Sequence, residues 1–522
     1  MANKSLFQSL VGKFVPPANT FNNAGGVAYQ LSPKAAIAQF AATGCLNATF
    51  YSSAEAQLSE VLGLCWHPEI TPEYIARVAL YSRSKGHMKD LPALLCASLA
   101  VFSPGLLAEV FDRVIDDGRM LRNFVQIIRS GAVGRKSLGS LPKRLVQRWF
   151  DARSDEQVFR ASVGNDPSLA DVIRMVHPKP KSATRAALYG YLLGKAHDAD
   201  ALPEIVKVFE AFKAGRTSAV PDVPFQMLTS LELSPKHWRS IAKNAPWQAT
   251  RMNLNTFARH GVFEDQHTAK LVADRLRDEA AIARARVFPY QLMVAFRQIS
   301  SSVPPGIGEA LQDAMEIATR QVPKVDGQMY VCPDVSGSMH SPITGVRKGA
   351  SSAVRCVDVA ALVSACFLRV NPSAEVIPFK EEVISDLAIN PRDSVMTNAD
   401  KMSKIPPGGT NCSAPLKYLN SRKATGNLVV FVSDNESWVD KARGRGTATV
   451  EQWAIFKARN PRAKLVCIDL VPNVTAQAVD SGSRDVLNIG GFSDQVFDVI
   501  AEFAAGRLGT ESWVGVIEKE SI

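Results

Sequence analysis

Between residues 33 and 320 the apolar positions recur at three- and four-residue steps, the period of one buried face on an α-helix. The segments SPKAAIAQFAATG, AEAQLSEVLGL, TPEYIARVALYSRS, DLPALLCASLAVF and PGLLAEVFDRVIDDG all follow it. Several open on Ser, Thr, Asp or Pro, which suit an N-cap or a first turn. The connections are short and carry Gly, Pro or Asn. No strand pattern interrupts the region. Such a succession predicts stacked helix pairs, an α-solenoid, with an irregular all-α domain as the alternative. Residues 1–25, which include VPPANTFNNAGG, are expected to form an irregular arm.

The pattern changes near residue 322. After the linker QVPKVDGQ, MYVCPDVSGS reads as a buried strand entering a polar loop. AEVIPF, NLVVFVSDNE and AKLVCIDL are further strands, and AVRCVDVAALVSACFLR and SDQVFDVIAEF are helices. Val- and Ile-rich strands alternating with helices predict a parallel, doubly wound α/β sheet. The chain is therefore multidomain, an all-α part over 1–322 followed by an α/β part over 323–522.

Composition adds little until charge is divided between these parts. The chain carries +10 overall. Residues 323–522 hold 22 Lys+Arg against 22 Asp+Glu, which leaves 38 against 28 in residues 1–322. A basic helical part beside a neutral one points to a polyanionic partner for the former. No apolar run is long enough to span a membrane. The N-terminus lacks the apolar core of a secretory signal. None of the eight cysteines forms a C-x-x-C pair, so they are expected to be reduced thiols of a cytoplasmic protein, not zinc ligands.

Ligands of open α/β sheets gather at the C-terminal ends of the strands. Three such places carry matching chemistry here. They are Asp334, Ser336 and Ser338 after the first strand, Thr410 in PPGGTNCSAPL, and Asp434 at the end of NLVVFVSD. Two carboxylates with hydroxyls are hard oxygen donors that suit a divalent cation, Mg²⁺ above all. Water would complete the octahedron, and one position could take a carboxylate from a partner. The set resembles the metal-ion-dependent adhesion site of von Willebrand factor A domains. An alternative is a ligand set that stays empty, held by its own hydrogen bonds. Nucleotide-binding Gly patterns are absent from this loop. No His or Glu is placed as a general base, and His340 in the loop has no evident partner, so no hydrolase is expected.

Residues 119–160 contain ten Lys+Arg and three acids. Arg119, Arg122, Arg135, Lys136, Lys143, Arg144 and Arg148 are the candidate phosphate contacts. In KRLVQRWF, Lys143, Arg144 and Arg148 fall around one helical side while Leu145 and Trp149 are left for the core. Spread cations of this kind suit phosphates, although a merely solvated face has the same pattern. A second patch follows in ADVIRMVHPKPKSATR, with His177 and Lys179. His177 is either a base or phosphate contact or a helix C-cap facing the macrodipole.

Together these pieces resemble the Ro autoantigen family, which joins a TROVE ring of HEAT-like helical repeats to a von Willebrand factor A domain. The similar segments are NNAGGVAYQLS, GRKSLGSLPKRLVQRWF, DVIRMVHPKP, ARARVFPYQLMVAF, PPGGTNCSAPL, VSDNES and NIGGFSDQVFDVI. The resemblance implies a non-catalytic RNA-binding protein. It implies small noncoding Y-like RNAs on the outer basic surface, and single-stranded 3′ ends of misfolded RNAs in the ring hole. An exoribonuclease is an implied partner in RNA quality control, and no DNA specificity is expected. His177 matches the histidine of the family's His-x-Lys-Pro turn, which moves it towards RNA contact. FRASVGNDPSLAD departs from the family pattern, since Arg160 is its one basic residue. The alternative function is a protein-interaction scaffold whose A domain captures an acidic residue through the metal.

Overall fold

The helix Ser140–Asp151 shows how sequence becomes structure in the basic part of the chain. Pro142, Leu145, Val146, Trp149 and Phe150 are buried, at the spacing of one helical face. Lys143, Arg144 and Arg148 stay at or near the surface. The preceding helix, Gly118–Ser130, is capped at both ends. The Asp117 side chain accepts from the Met120 amide at 2.7 Å, and Gly131 ends the helix with φ +86°, a conformation that favours glycine. A third helix, Leu169–Val176, packs against both.

The structure is a computed structural model. It describes residues 15–43, 46–285, 287, 289–320, 322–345, 354–438, 446–479, 484–491, 494–508 and 512–522. The chain divides into two compact units. One comprises Pro92–Val287 and Ala295–Ala314, and its described residues are helices and connections without a strand. The predicted helices appear as Pro33–Thr43, Ala54–Cys65, Pro72–Ser84, Asp90–Phe102 and Pro104–Val114. No helix among the described residues is long and apolar enough to cross a membrane.

The other unit holds the α/β fold. Its strands are β1 (Thr20–Phe21), β2 (Val27–Gln30), β3 (Met329–Pro333), β4 (Glu375–Val376), β5 (Leu428–Ser433), β6 (Lys464–Asp469), β7 (Thr475–Ala476) and β8 (Val486–Gly490). A parallel five-stranded sheet runs in the order β4-β3-β5-β6-β8. β3 and β5 are buried at every position, as expected of strands covered on both faces. The apolar helix Cys356–Val370 packs on β3 and β5. The expected strand AEVIPF is regular only at Glu375–Val376. Beyond it, single hydrogen bonds from Ile377 to Val331 and from Phe379 to Pro333 continue the pairing.

The spatial division of the fold is not sequential: the described residues from 15 to 91 group with the α/β unit. β2 pairs antiparallel with β7, Tyr29 opposite Ala476 and Gln30 opposite Thr475. Trp513 donates from its indole to the Ala38 carbonyl at 3.1 Å and meets the Tyr81 ring edge-on at 5.1 Å. Gly490 lets the Pro33–Thr43 helix approach, since a Cβ there would stand 2.6 Å from the Gln39 carbonyl oxygen. The supposed irregular arm is therefore partly a hairpin, β1 against β2.

Candidate functional site

The C-terminal ends of β3 and β5 bring the predicted metal ligands together. Asp334 follows β3, and its amide donates to the Val432 carbonyl at 2.9 Å. Its carboxylate accepts from the Ser336 amide at 2.8 Å and from the Ser433 hydroxyl at 2.6 Å. The turn this imposes leaves the Ser336 and Ser338 hydroxyls 3.5 Å apart. The Gly337 amide donates to Gly408 at 2.8 Å, tying this loop to the one that carries Thr410. Asp434 follows β5; its side chain lies beside Ser338, and its backbone carbonyl accepts from Asn473 at 2.7 Å. Asp334, Ser336, Ser338, Thr410 and Asp434 are all buried, Ser338 the most exposed of them at 4%.

Electrostatics favour a cation here. Burial, then the neighbouring charge of Asp334, pushes the Asp434 carboxyl up to about 8. Burial also raises Asp334. Two buried carboxylates that resist ionisation in each other's presence are stabilised as anions by a positive ion between them. With the hydroxyls of Ser336 and Ser338 they form an all-oxygen donor set that fits a hard divalent cation, and Thr410 is buried on the adjoining loop. Among the described residues no group of three or more His, Cys, Asp or Glu is arranged for metal binding, so the hydroxyls are needed to complete a site.

Sequence reasoning missed four neighbours. Glu436 is buried, and burial pushes its carboxyl up to about 7. Asp469, at the end of β6, is raised by burial and by the charges of Glu436 and Asp434, and its Oδ2 lacks a hydrogen-bond partner. Tyr51 lies beside the Ser338 side chain; burial first, then the Asp434 charge, pushes its hydroxyl up to about 12. Asn23 holds Glu436. The VSDNES segment contains Glu436, but nothing in the sequence ties it to residue 23. His340, expected to lack a partner, accepts from Arg355 at 2.8 Å. The anticipated open position for a partner's carboxylate is not favoured, because the ligand set is buried.

In the helical unit the basic residues divide by environment. Arg119, Lys136, Arg144, His177 and Lys179 are exposed, and Lys143 is half-buried. Arg122 is a correction: it is buried, donates to the Ala161 carbonyl at 3.0 Å and lies against Gly164. Arg135 clamps its own loop, donating to the carbonyls of Ser137, Leu138 and Ala100 at 2.8, 2.8 and 3.1 Å. Arg148 pairs with Asp112 at 3.0 Å. Arg160 is held by Glu156 and Asp222.

Gln147 joins the two basic patches. Its side-chain nitrogen donates to Val176 at 2.6 Å and approaches the His177 carbonyl at 3.5 Å. His177 is the C-cap of Leu169–Val176, with φ +51°, and its ring is exposed. Lys143 and Arg144 lie one turn before Gln147 on the same helical side. Half-buried Lys143 and exposed Arg144, His177 and Lys179 flank this contact, with no carboxylate in ion-pair contact among the described residues. Of the two roles expected for His177, the structure shows the C-cap position.

Comparison with known proteins agrees with this architecture. Residues 168–329 match the TROVE domain, and residues 328–504 match the Ro60 vWA domain. The chain is 26% identical to the RNA-binding protein RO60 of Deinococcus radiodurans over 93% of its own length and 95% of the relative's. It is 20% identical to the RNA-binding protein RO60 of Caenorhabditis elegans over 50% of this chain and 41% of that protein. The crystal structure of the Deinococcus radiodurans RO (RSR) protein superposes with a TM-score of 0.62 at 23% identity, covering 91% of this chain and all of that one. The class is thus a helical TROVE region followed by a von Willebrand factor A domain. The chain belongs to the Ro family.

Proposed function

We propose that this chain is a non-catalytic RNA-binding protein that takes small Y-like noncoding RNAs on its exposed basic surface. The observation that carries the reading is that Gln147, on the helix of Lys143 and Arg144, is hydrogen-bonded to the end of the helix that leads into His177 and Lys179. Cations without carboxylate partners are available to phosphates, and an exposed imidazole beside them can stack on an unpaired base. The names of the relatives support RNA as the partner. The hole of the helical ring would take the single-stranded 3′ ends of misfolded RNAs. The protein would then act in RNA quality control in the cytoplasm, with an exoribonuclease as a further partner. In the A domain, Asp334, Ser336, Ser338, Thr410 and Asp434 would hold Mg²⁺, which supplies positive charge to the buried carboxylates.

The testing experiment is a salt titration of binding to a structured hairpin RNA with and without a single-stranded 3′ tail. Tight binding that weakens steeply with salt, and that favours the tailed RNA, is the expected outcome. Weak, salt-insensitive binding to both RNAs defeats the proposal.

A further inference from the structure

Two segments from the beginning of the chain cover the metal-site loops. The first is the turn Asn22–Gly26, which lies on the loop after β5. Asn22 Nδ2 donates to the Ser437 carbonyl at 2.8 Å. Asn23 Nδ2 donates to Glu436 Oε1 at 2.8 Å, and the Ala24 amide donates to Glu436 Oε2 at 3.2 Å. Both oxygens of this buried carboxylate are thus taken by the turn, two residues beyond the ligand Asp434. Asn22 Oδ1 accepts from the Gly26 amide at 2.7 Å and fixes the turn. A Cβ on Gly26 would stand 2.0 Å from the Ser437 oxygen, so glycine is what permits the close approach.

The second segment, residues 47–51, lies on the loop after β3. Asn47 Nδ2 donates to the Thr344 carbonyl at 2.8 Å. A Cβ on Gly345 would stand 2.6 Å from the Ala48 oxygen. At its end the Tyr51 hydroxyl lies beside the ligand Ser338, near enough to feel the charges of Asp434, Glu436 and Asp334. The two segments therefore grip loops that supply Asp334, Ser336, Ser338 and Asp434.

We infer that this metal site is closed from within. The Asn22–Gly26 turn and Tyr51 stand in the approach that an acidic partner side chain would need. The ion acts as a clamp that holds the first part of the chain on the A domain. This rests on the proposal that Asp334 and its neighbours hold a divalent ion. Closure of these segments and binding of the ion are then linked, each strengthening the other. The ion fixes the loop geometry that the turn recognises, and the closed turn slows escape of the ion.

The test uses the full chain and Mn²⁺ alone. Binding is read from loss of the free Mn²⁺ paramagnetic signal. Release is timed by chasing with excess chelator, and hydrogen exchange is followed over residues 19–31 and 46–52. In the unaltered protein, Mn²⁺ should slow exchange in both segments at least about tenfold. The pair Asn23→Ala with Tyr51→Phe should still bind Mn²⁺ but release it at least about tenfold faster. Asp334→Asn should bind none and show no protection. If Mn²⁺ binds while exchange over 19–31 is unmoved and the pair releases the ion within twofold of the unaltered rate, closure is overturned and the metal reading stands. If the unaltered protein binds no Mn²⁺, the metal reading fails and closure fails with it.

Discussion

Gln147 donates its side-chain amide to the Val176 carbonyl at 2.6 Å, tying the end of one helix to the middle of another. Val176 is the last helical residue before His177, so its carbonyl would otherwise be an unsatisfied acceptor at a helix C-terminus. The bond sets where the His177 ring and Lys179 emerge relative to Lys143 and Arg144. Reversing the two helix charges, Lys143→Glu with Arg144→Glu, should lower RNA affinity about 10–100-fold near 0.1 M salt. It should also flatten the log–log salt dependence by about 2, one for each phosphate left without its cation. Filter binding over a salt series checks this, with melting temperature as the control for folding. Unchanged affinity would place the RNA on another face.

His177→Ala tests the neighbouring residue separately. An unpaired base stacked on the ring contributes about 1–3 kcal/mol. The substitution should weaken binding to a structured RNA while leaving the salt slope close to its original value. A shallower slope instead would mean that the imidazole acts as a cation on phosphate.

Arg122 predicts the opposite pattern. Its guanidinium is buried, donates to Ala161 and fills the space beside Gly164. Arg122→Ala removes a charged donor and leaves the Ala161 carbonyl without it. That should cost about 1.5–3 kcal/mol of stability. The folded fraction should keep the salt slope of its RNA binding. Urea unfolding beside the RNA titration separates the two effects, and a reduced slope at unchanged stability would assign Arg122 to the RNA surface.

The contrast between Arg119 and Arg122 shows what the sequence could carry. Both sit in the first turns of one helix among the same apolar positions, yet one is exposed and the other buried. What separates them is an acceptor at Ala161, a tertiary fact invisible to periodicity. β3, β5 and β6 were legible because strands covered on both faces are nearly continuous apolar runs. The β2–β7 pairing was not, since β7 is two residues long and lies in the last part of the chain. Without that pairing, periodicity alone groups residues 15–43 with the helical part. That Asp334, Ser336, Ser338 and Asp434 lie close together could be read from their places at the ends of β3 and β5, a topological rule. Tyr51 and Asn23 reach that site from segments with no metal-binding pattern of their own.

The cysteines give a test of the core. The seven described cysteines are all buried. Burial pushes the Cys356 thiol up to about 12 and raises Cys96, Cys332 and Cys467 above the ordinary thiol range. Thiolate is the reactive form, so all four should be inert at pH 8. Cys45, also expected to be a core thiol, lies outside the described residues. A thiol-disulfide reagent should modify at most one group rapidly in the native protein and all eight in denaturant. Rapid native modification of several groups would show that the buried strands and helices open readily.

Asp334 sits where three demands meet. It accepts from Ser336 and Ser433, it anchors the turn that orients two serine hydroxyls, and its buried charge opposes that of Asp434. Without a cation the two carboxylates destabilise each other's ionised forms; with one, both are favoured as anions. Added Mg²⁺ should therefore raise the thermal midpoint. At a hundredfold excess over the dissociation constant the gain is about 2.7 kcal/mol, or several degrees for a unit of this size. Asp334→Ala should abolish the Mg²⁺-dependent gain and leave RNA affinity within about twofold, because the basic cluster belongs to the helical unit. Thermal unfolding with Mg²⁺ and with chelator, run beside RNA titrations of both proteins, reads these effects independently. A midpoint that Mg²⁺ does not move would refute the cation. A fall in midpoint and in RNA affinity together would show that the two units depend on each other.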